Sequence, residues 1–138
     1  PFNFADALLG VLAQRLARSL CSSCRVSHPG TVEEWERHAR AYGTNVFAAR
    51  HPFGPSFHVW RAAGCGACRG TGYRGRVPLH ELLVCDDELR HHIAHRRPVE
   101  ELRAGAVRGG MTTLLQDGVE KALQGRTDLS QVLAVASR

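Results

Sequence analysis

Leu8, Leu9, Leu12, Leu16 and Leu20 recur at three- and four-residue intervals from Ala5 to Leu20, while Gln14, Arg15 and Arg18 fall between them. That spacing predicts an amphipathic helix, with Asn3 as its N-cap. No element before Pro1 is there to receive the apolar face, so the chain is expected to be cut from something larger. A second helix is announced by Thr31-Val32-Glu33-Glu34, a capping box, and runs to about Tyr42 before stopping at Gly43. A loop containing Pro52, Gly54 and Pro55 follows. Phe57 to Ala62 has the β-branched and aromatic character of a short strand, and Arg76 to Val84 reads as another, with Pro78 placing it at an edge or bulge. From Asp86 onward the pattern is helical: Pro98 suits the first turn of a helix ending at Gly109-Gly110, Thr112 caps one ending at Gly125, and Thr127 caps the last.

The predicted fold is α+β: a small subdomain with a short strand pair, followed by a C-terminal helical region. Its parts are a terminal helix over 1–20, a cysteine-bounded subdomain over 21–68, a strand segment over 69–85 and the helical region over 86–138. A length of 138 residues with 43% hydrophobic positions can bury a core. No apolar run reaches the roughly 18 residues of a membrane span, and Asp6, Arg15 and Arg18 stand where a signal peptide would be apolar. The chain therefore reads as cytoplasmic. The net charge of +5 does not alter this picture, because Lys121 is the only lysine, the remaining basic residues are arginine, and acids are interspersed throughout. No dedicated surface for specific nucleic-acid binding is expected.

Cys21-Ser-Ser-Cys24 and Cys65-Gly-Ala-Cys68 change the reading most. Two residues between cysteines let both thiolates turn toward one ion, and two such turns close a tetrahedral four-sulfur shell with no open position, the arrangement of a structural Zn²⁺. A reduced compartment argues against disulfides. A redox pair would sit at a helix N-terminus, whereas Cys21 follows the predicted first helix. Gly70 fits the tight turn that aims backbone N–H groups at the sulfurs, and Arg25 and Arg69 are placed to screen the surplus negative charge. His28, His38, His58 and His80 are substitute ligands by chemistry alone, each more ordinary as a packing or surface residue. Cys85, after Leu82-Leu83-Val84, reads as a small buried hydrophobe.

Leu12-Ala13-Gln14-Arg15-Leu16 before Cys21-x-x-Cys24, then Cys65-x-x-Cys68-x-x-Thr71-Gly72-Tyr73-Arg74-Gly75-Arg76 and His80-Glu81-Leu82-Leu83, resemble the secretion ATPases of type II secretion systems and type IV pili that carry a tetracysteine metal domain. Gly110-Met111-Thr112-Thr113-Leu114, Asp117-Gly118, Lys121, Gly125 and Thr127 resemble their C-terminal helical segment. The span between the cysteine pairs is longer than in many members. The resemblance implies a fragment of a RecA-like ATPase whose parent works as a hexamer on inner-membrane platform proteins, peripheral to that membrane through its partners. It also places Arg76, and with it Arg74, near the nucleotide. No Gly-x-x-x-x-Gly-Lys-Ser/Thr loop is present, and Gly105 to Thr112 has no lysine to reach a phosphate. ATP and Mg²⁺ are thus expected only in the full-length protein, with no hydrolysis by this chain alone. Two other classes fit parts of the pattern: a zinc-ribbon nucleic-acid module, and a co-chaperone zinc domain whose repeat Cys65-x-x-Cys68-x-Gly70-x-Gly72 occurs here once.

Overall fold

The structure, a computed structural model, describes residues 2–136. The elements in chain order are α1 (Phe2–Ala7), β1 (Gly10–Leu20), β2 (Val26–Pro29), α2 (Val32–Tyr42), α3 (Thr44–Arg50), β3 (His58–Arg61), β4 (Tyr73–Val84), α4 (Asp87–Ala94), α5 (Val99–Arg108), α6 (Leu114–Leu123) and α7 (Leu129–Val135). The fold is α+β, with β1 paired to β4 and β2 paired to β3.

The helix expected over Ala5 to Leu20 is the largest correction: only Phe2–Ala7 is helical, and Gly10–Leu20 is a strand. Leu8, Leu12, Leu16 and Leu20 are four apart, a spacing that satisfies a helical turn and also the even period of a strand. Helix propensity loses here to backbone pairing with β4. Gly10 marks the approach, since a Cβ there would lie 2.7 Å from the Leu83 carbonyl oxygen. Ala17 is buried, whereas Leu12 and Leu16 point outward. Asn3, read as the N-cap, falls within α1 and its side chain is outside the described residues, as is Pro1.

The chain divides into two compact units. In the unit formed by Pro1–Ala13 and His80–Thr113, α1 packs on α4 and α4 on α5, around buried Ala5, Cys85, Leu89 and Ala106. Asp86 caps α4 by accepting from the Leu89 N–H at 2.8 Å. Pro98 stands as the N-cap of α5 rather than inside its first turn. Cys85 is buried, as its apolar neighbours predict. On the strands of this unit Leu12, Leu82 and Val84 remain 54–65% exposed.

The unit formed by Gln14–Leu79 and Leu114–Arg138 holds two apolar clusters. One gathers Tyr42, Phe47, Phe57, Val59, Val119 and Leu129; the other gathers Ala17, Val77, Leu79, Leu115 and Val132. The capping box of α2 forms as predicted, with the Glu34 N–H donating to Thr31 Oγ1 at 3.1 Å and the Thr31 N–H to Glu34 Oε1 at 2.9 Å. Gly43 ends α2, but α3 follows at once where a loop is predicted. β2 was not expected either; it pairs antiparallel with β3, Val26 opposite Arg61 and Pro29 opposite His58. Thr127 does not cap the last helix. Its hydroxyl donates to the Arg18 carbonyl at 2.8 Å from a fully buried position, and Asp128 is the cap, accepting from the Gln131 N–H at 2.9 Å.

Glu120 on α6 ties down the segment between the cysteine pairs: Tyr42 donates to it at 2.8 Å, and His51 Nε2 and Arg50 Nη2 lie 2.9 and 3.3 Å away. Glu34 does similar work at the other end. Burial alone would raise its pKa, but the Thr31 N–H and Arg61 hold it at about 2, down from 4.5. Its ionised form is the one the fold binds. That contribution is complete above about pH 4.5 and is lost as the pH falls toward 2. The full shift is worth at most about 3 kcal/mol, less screening at the exposed Arg61. Glu34→Gln is therefore expected to flatten the acid limb of the melting temperature measured against pH, compared with the parent chain at equal metal content. Identical slopes in the two proteins would contradict this.

Candidate metal centre

The end of β1 delivers Cys21 and the following turn brings Cys24 back beside it, with the Arg25 N–H donating to the Cys21 carbonyl at 2.9 Å. The second turn is closed by the Gly70 N–H on the Cys65 carbonyl at 2.8 Å. The two turns are stitched together where the Cys21 N–H donates to the Gly72 carbonyl at 2.9 Å. All four sulfurs lie within 4.8 Å of one another, and no histidine or carboxylate joins them among the described residues.

The sulfur distances identify what this cluster can hold. Cys21–Cys65, Cys24–Cys68 and Cys65–Cys68 are separated by 3.8, 3.9 and 3.8 Å. A disulfide would require about 2.05 Å, and all four thiols are free. Four sulfurs each about 2.3 Å from a central ion stand about 3.8 Å apart along the edges of the tetrahedron. The donor set fits a tetrahedral tetrathiolate metal ion.

Backbone donors already face the sulfurs. The Gly64 N–H reaches Cys24 Sγ at 3.2 Å, the Cys65 N–H reaches Cys68 Sγ at 3.2 Å, and the Gly72 N–H reaches Cys68 Sγ at 3.1 Å. Burial opposes ionisation of Cys68, yet these N–H groups draw its pKa down to about 6. Cys21 is also lowered, chiefly by the Ser23 N–H. At Cys24 the Gly64 N–H pulls downward, but burial and the neighbouring thiols push it up to about 11. Negative charge is thus stabilised at some sulfurs and refused at another. A cation at the centre removes that conflict, because it deprotonates coordinating thiols outright.

Gly70 has the predicted positive φ, 78°, but its N–H serves a carbonyl; the donor to sulfur is Gly72. Gly72 has φ 82°, and a Cβ there would lie 2.5 Å from Ala62 Cβ, so both conformation and space demand glycine. The role of Gly64 was likewise not legible from spacing. The Arg25 guanidinium is engaged with other groups: it stacks over Trp60 at 4.4 Å and donates to the Gly125 carbonyl at 2.6 Å. Arg69 occupies the left-handed region at φ 56°.

The histidines lie elsewhere. His38 Nδ1 donates to the Glu34 carbonyl at 2.6 Å, His28 stands 3.5 Å from Glu34, and His58 Nδ1 donates to the Ser56 carbonyl at 3.2 Å. His80 is on β4, outside the cluster. Arg74 and Arg76 are also on β4, two apart, exposed, and without an ion pair among the described residues. The segment Gly105 to Thr112 runs from the last turns of α5 into the following turn and forms no phosphate loop. No described helix is long and apolar enough to cross a membrane.

Comparison with known proteins places this geometry in a family context. The profile of the type II/IV secretion system protein family matches residues 1–134. The type IV pilus assembly ATPase PilB of Thermus thermophilus is 43% identical over 134 residues, 97% of this chain and 14% of that protein. The type II secretion system protein E of Aeromonas hydrophila is 39% identical over 98% of this chain and 25% of its own length. The type II secretion system protein HxcR of Pseudomonas aeruginosa is 38% identical over 98% of this chain and 23% of its own length. The chain thus spans a quarter or less of these relatives.

Proposed function

The chain belongs to the type II/IV secretion system protein family, and from that premise we propose that it is the C-terminal, zinc-holding portion of a cytoplasmic ATPase that powers pilus or pseudopilus assembly. The observation that carries this reading is the match, over 97% or more of the chain, to a type IV pilus assembly ATPase and to a type II secretion system protein. In this reading Zn²⁺ on Cys21, Cys24, Cys65 and Cys68 is structural, since a closed four-thiolate shell offers no position to a substrate. Relatives from both pilus assembly and type II secretion match the chain, and the reading does not choose between the two systems.

Leu12, Leu82 and Val84, exposed on paired strands, support a further element packed on that face in the intact protein. The intact protein would form a hexameric ring at the cytoplasmic face of the inner-membrane platform. Arg76 and Arg74, extended and unpaired, would reach the nucleotide there, while the phosphate loop and Mg²⁺ site lie in the rest of the protein. The test compares this chain with the full-length protein in a coupled ATPase assay. Turnover is expected from the full-length protein alone; steady hydrolysis by the 138-residue chain would overturn the division of labour.

The zinc-ribbon nucleic-acid reading loses its stacking platform in the structure. Tyr42 and Phe57 are core residues, Trp35 packs against them, and the Trp60 face is occupied by Arg25. Binding to short single-stranded and duplex oligonucleotides at physiological salt is expected to be weak, steeply salt-dependent and indifferent to sequence. Tight, sequence-dependent binding would restore that reading.

A further inference from the structure

We infer that His91 on α4 and His95, which caps the C-terminus of that helix, form a second metal site, a two-imidazole chelate for an exchangeable divalent cation of the Ni²⁺, Cu²⁺ and Zn²⁺ class. The residues are four apart at the C-terminal end of the helix, so their side chains emerge one above the other on the same face. Their ring centroids are 4.1 Å apart with the planes inclined by 32°. Both residues are exposed.

The tautomer of His95 follows from its partner. The His91 carbonyl oxygen accepts the His95 backbone N–H at 3.0 Å, and His95 Nδ1 lies 2.8 Å from the same oxygen. A carbonyl only accepts, so Nδ1 carries the proton and the lone pair sits on Nε2. Donation of one ring N–H to a backbone carbonyl is how a ligating imidazole is held and oriented in metal sites. Here that arrangement exists before any ion arrives. The His91 ring makes no hydrogen bond among the described residues, which leaves it free to turn a nitrogen toward the same point. The helix C-terminus, carrying partial negative charge, favours a cation at this end.

The neighbourhood sets the character of the site. Arg90, Arg96 and Arg97 lie close in sequence and oppose a dication, although Arg90 is paired with Asp87 at 3.5 Å and Arg97 with Glu101 at 3.8 Å. Two protein ligands leave the remaining positions to water or to a group from outside the chain. The site is therefore weaker and more open than the four-cysteine shell, and it favours ions that prefer imidazole nitrogen, Cu²⁺ foremost and then Ni²⁺ or Zn²⁺. His92 does not belong to it, because its Nδ1 is buried and faces Gly105 on α5.

The chain, first loaded with one equivalent of zinc, is titrated with Ni²⁺ and with Cu²⁺ by calorimetry, and paramagnetic broadening of its amide resonances is followed in parallel. One further equivalent is expected, with broadening centred on residues 91–95. His91→Gln and His95→Gln are each expected to weaken that equivalent by about tenfold or more, with unchanged amide dispersion showing the fold intact, while His92→Ala leaves it as it was. No saturable second equivalent, or an undiminished one in the His91→Gln/His95→Gln double variant, would overturn the site.

Discussion

Protein purified without added metal is expected to carry one zinc ion per chain, and Cys65→Ser is expected to remove it and to unfold the segment from Cys21 to Cys68 ahead of the rest. In small metal domains binding and folding are one equilibrium, worth on the order of 10 kcal/mol or more. The structure indicates where that energy is applied. Without an ion, the two cysteine turns are held together by the Cys21 to Gly72 backbone bond and by the Gly64 N–H on Cys24 Sγ, while thiols 3.8 Å apart compete for protons. The segment between them keeps other anchors: the apolar cluster around Phe47 and the grip of Tyr42 and His51 on Glu120. Hydrogen exchange should therefore accelerate first in residues 21–25 and 64–72, then in β2 and β3, and last in α2 and α6. Elemental analysis with exchange mass spectrometry reads both halves. A metal-free chain of normal stability, or unchanged zinc content in Cys65→Ser, would remove the assignment; iron in place of zinc would revise the ion and leave the ligands.

Features determined by neighbours in sequence are legible in the sequence alone. The capping box of α2 needs only Thr31 and Glu34, and both of its bonds form. The cysteine quartet was legible for a related reason: each pair is local, and the chemistry of four thiolates leaves few ways to combine them. What distant partners decide was not legible. β1 is a strand because β4 pairs with it, and residues 10–20 contain nothing that separates an even strand period from a four-residue helical repeat. Arg25 looked like a counter-ion for the thiolates because it adjoins Cys24, yet Trp60 and the Gly125 carbonyl claim it. Thr127 looked like a cap, and the Arg18 carbonyl takes its hydroxyl. Gly72 carries a weaker version of the lesson: its positive φ could be suspected from the glycine-rich run, but its N–H on Cys68 and its contact with Ala62 exist only once the two turns meet.

Replacing Arg76 with Ala in the full-length protein is expected to weaken ATP binding while leaving zinc content and melting temperature as they were. The expectation rests on the proposed function, on two features of this chain and on the chemistry of arginine. Arg76 and Arg74 extend from the same strand as residues that leave the metal turn, with Gly72 bound to both Cys21 and Cys68 immediately before them. Both side chains are exposed and make no ion pair among the described residues, so removing one breaks no ion pair there. A guanidinium plane can stack on a purine or pair with a phosphate, which an ordinary surface arginine has no occasion to do. A charge-assisted contact of this kind contributes about 1.5–3 kcal/mol, which corresponds to roughly a tenfold to hundredfold loss of affinity. The structural alternative, a bridge from Arg76 to Glu81 or to the thiolates, predicts the opposite pattern: lower stability or lost zinc with nucleotide binding intact. Arg76→Lys refines the reading, because a lysine keeps the charge and loses the plane, so partial rescue assigns the contact to phosphate and no rescue assigns it to the base. Wild-type ATP affinity and turnover in Arg76→Ala would take Arg76 out of the nucleotide site and leave β4 as a purely structural strand.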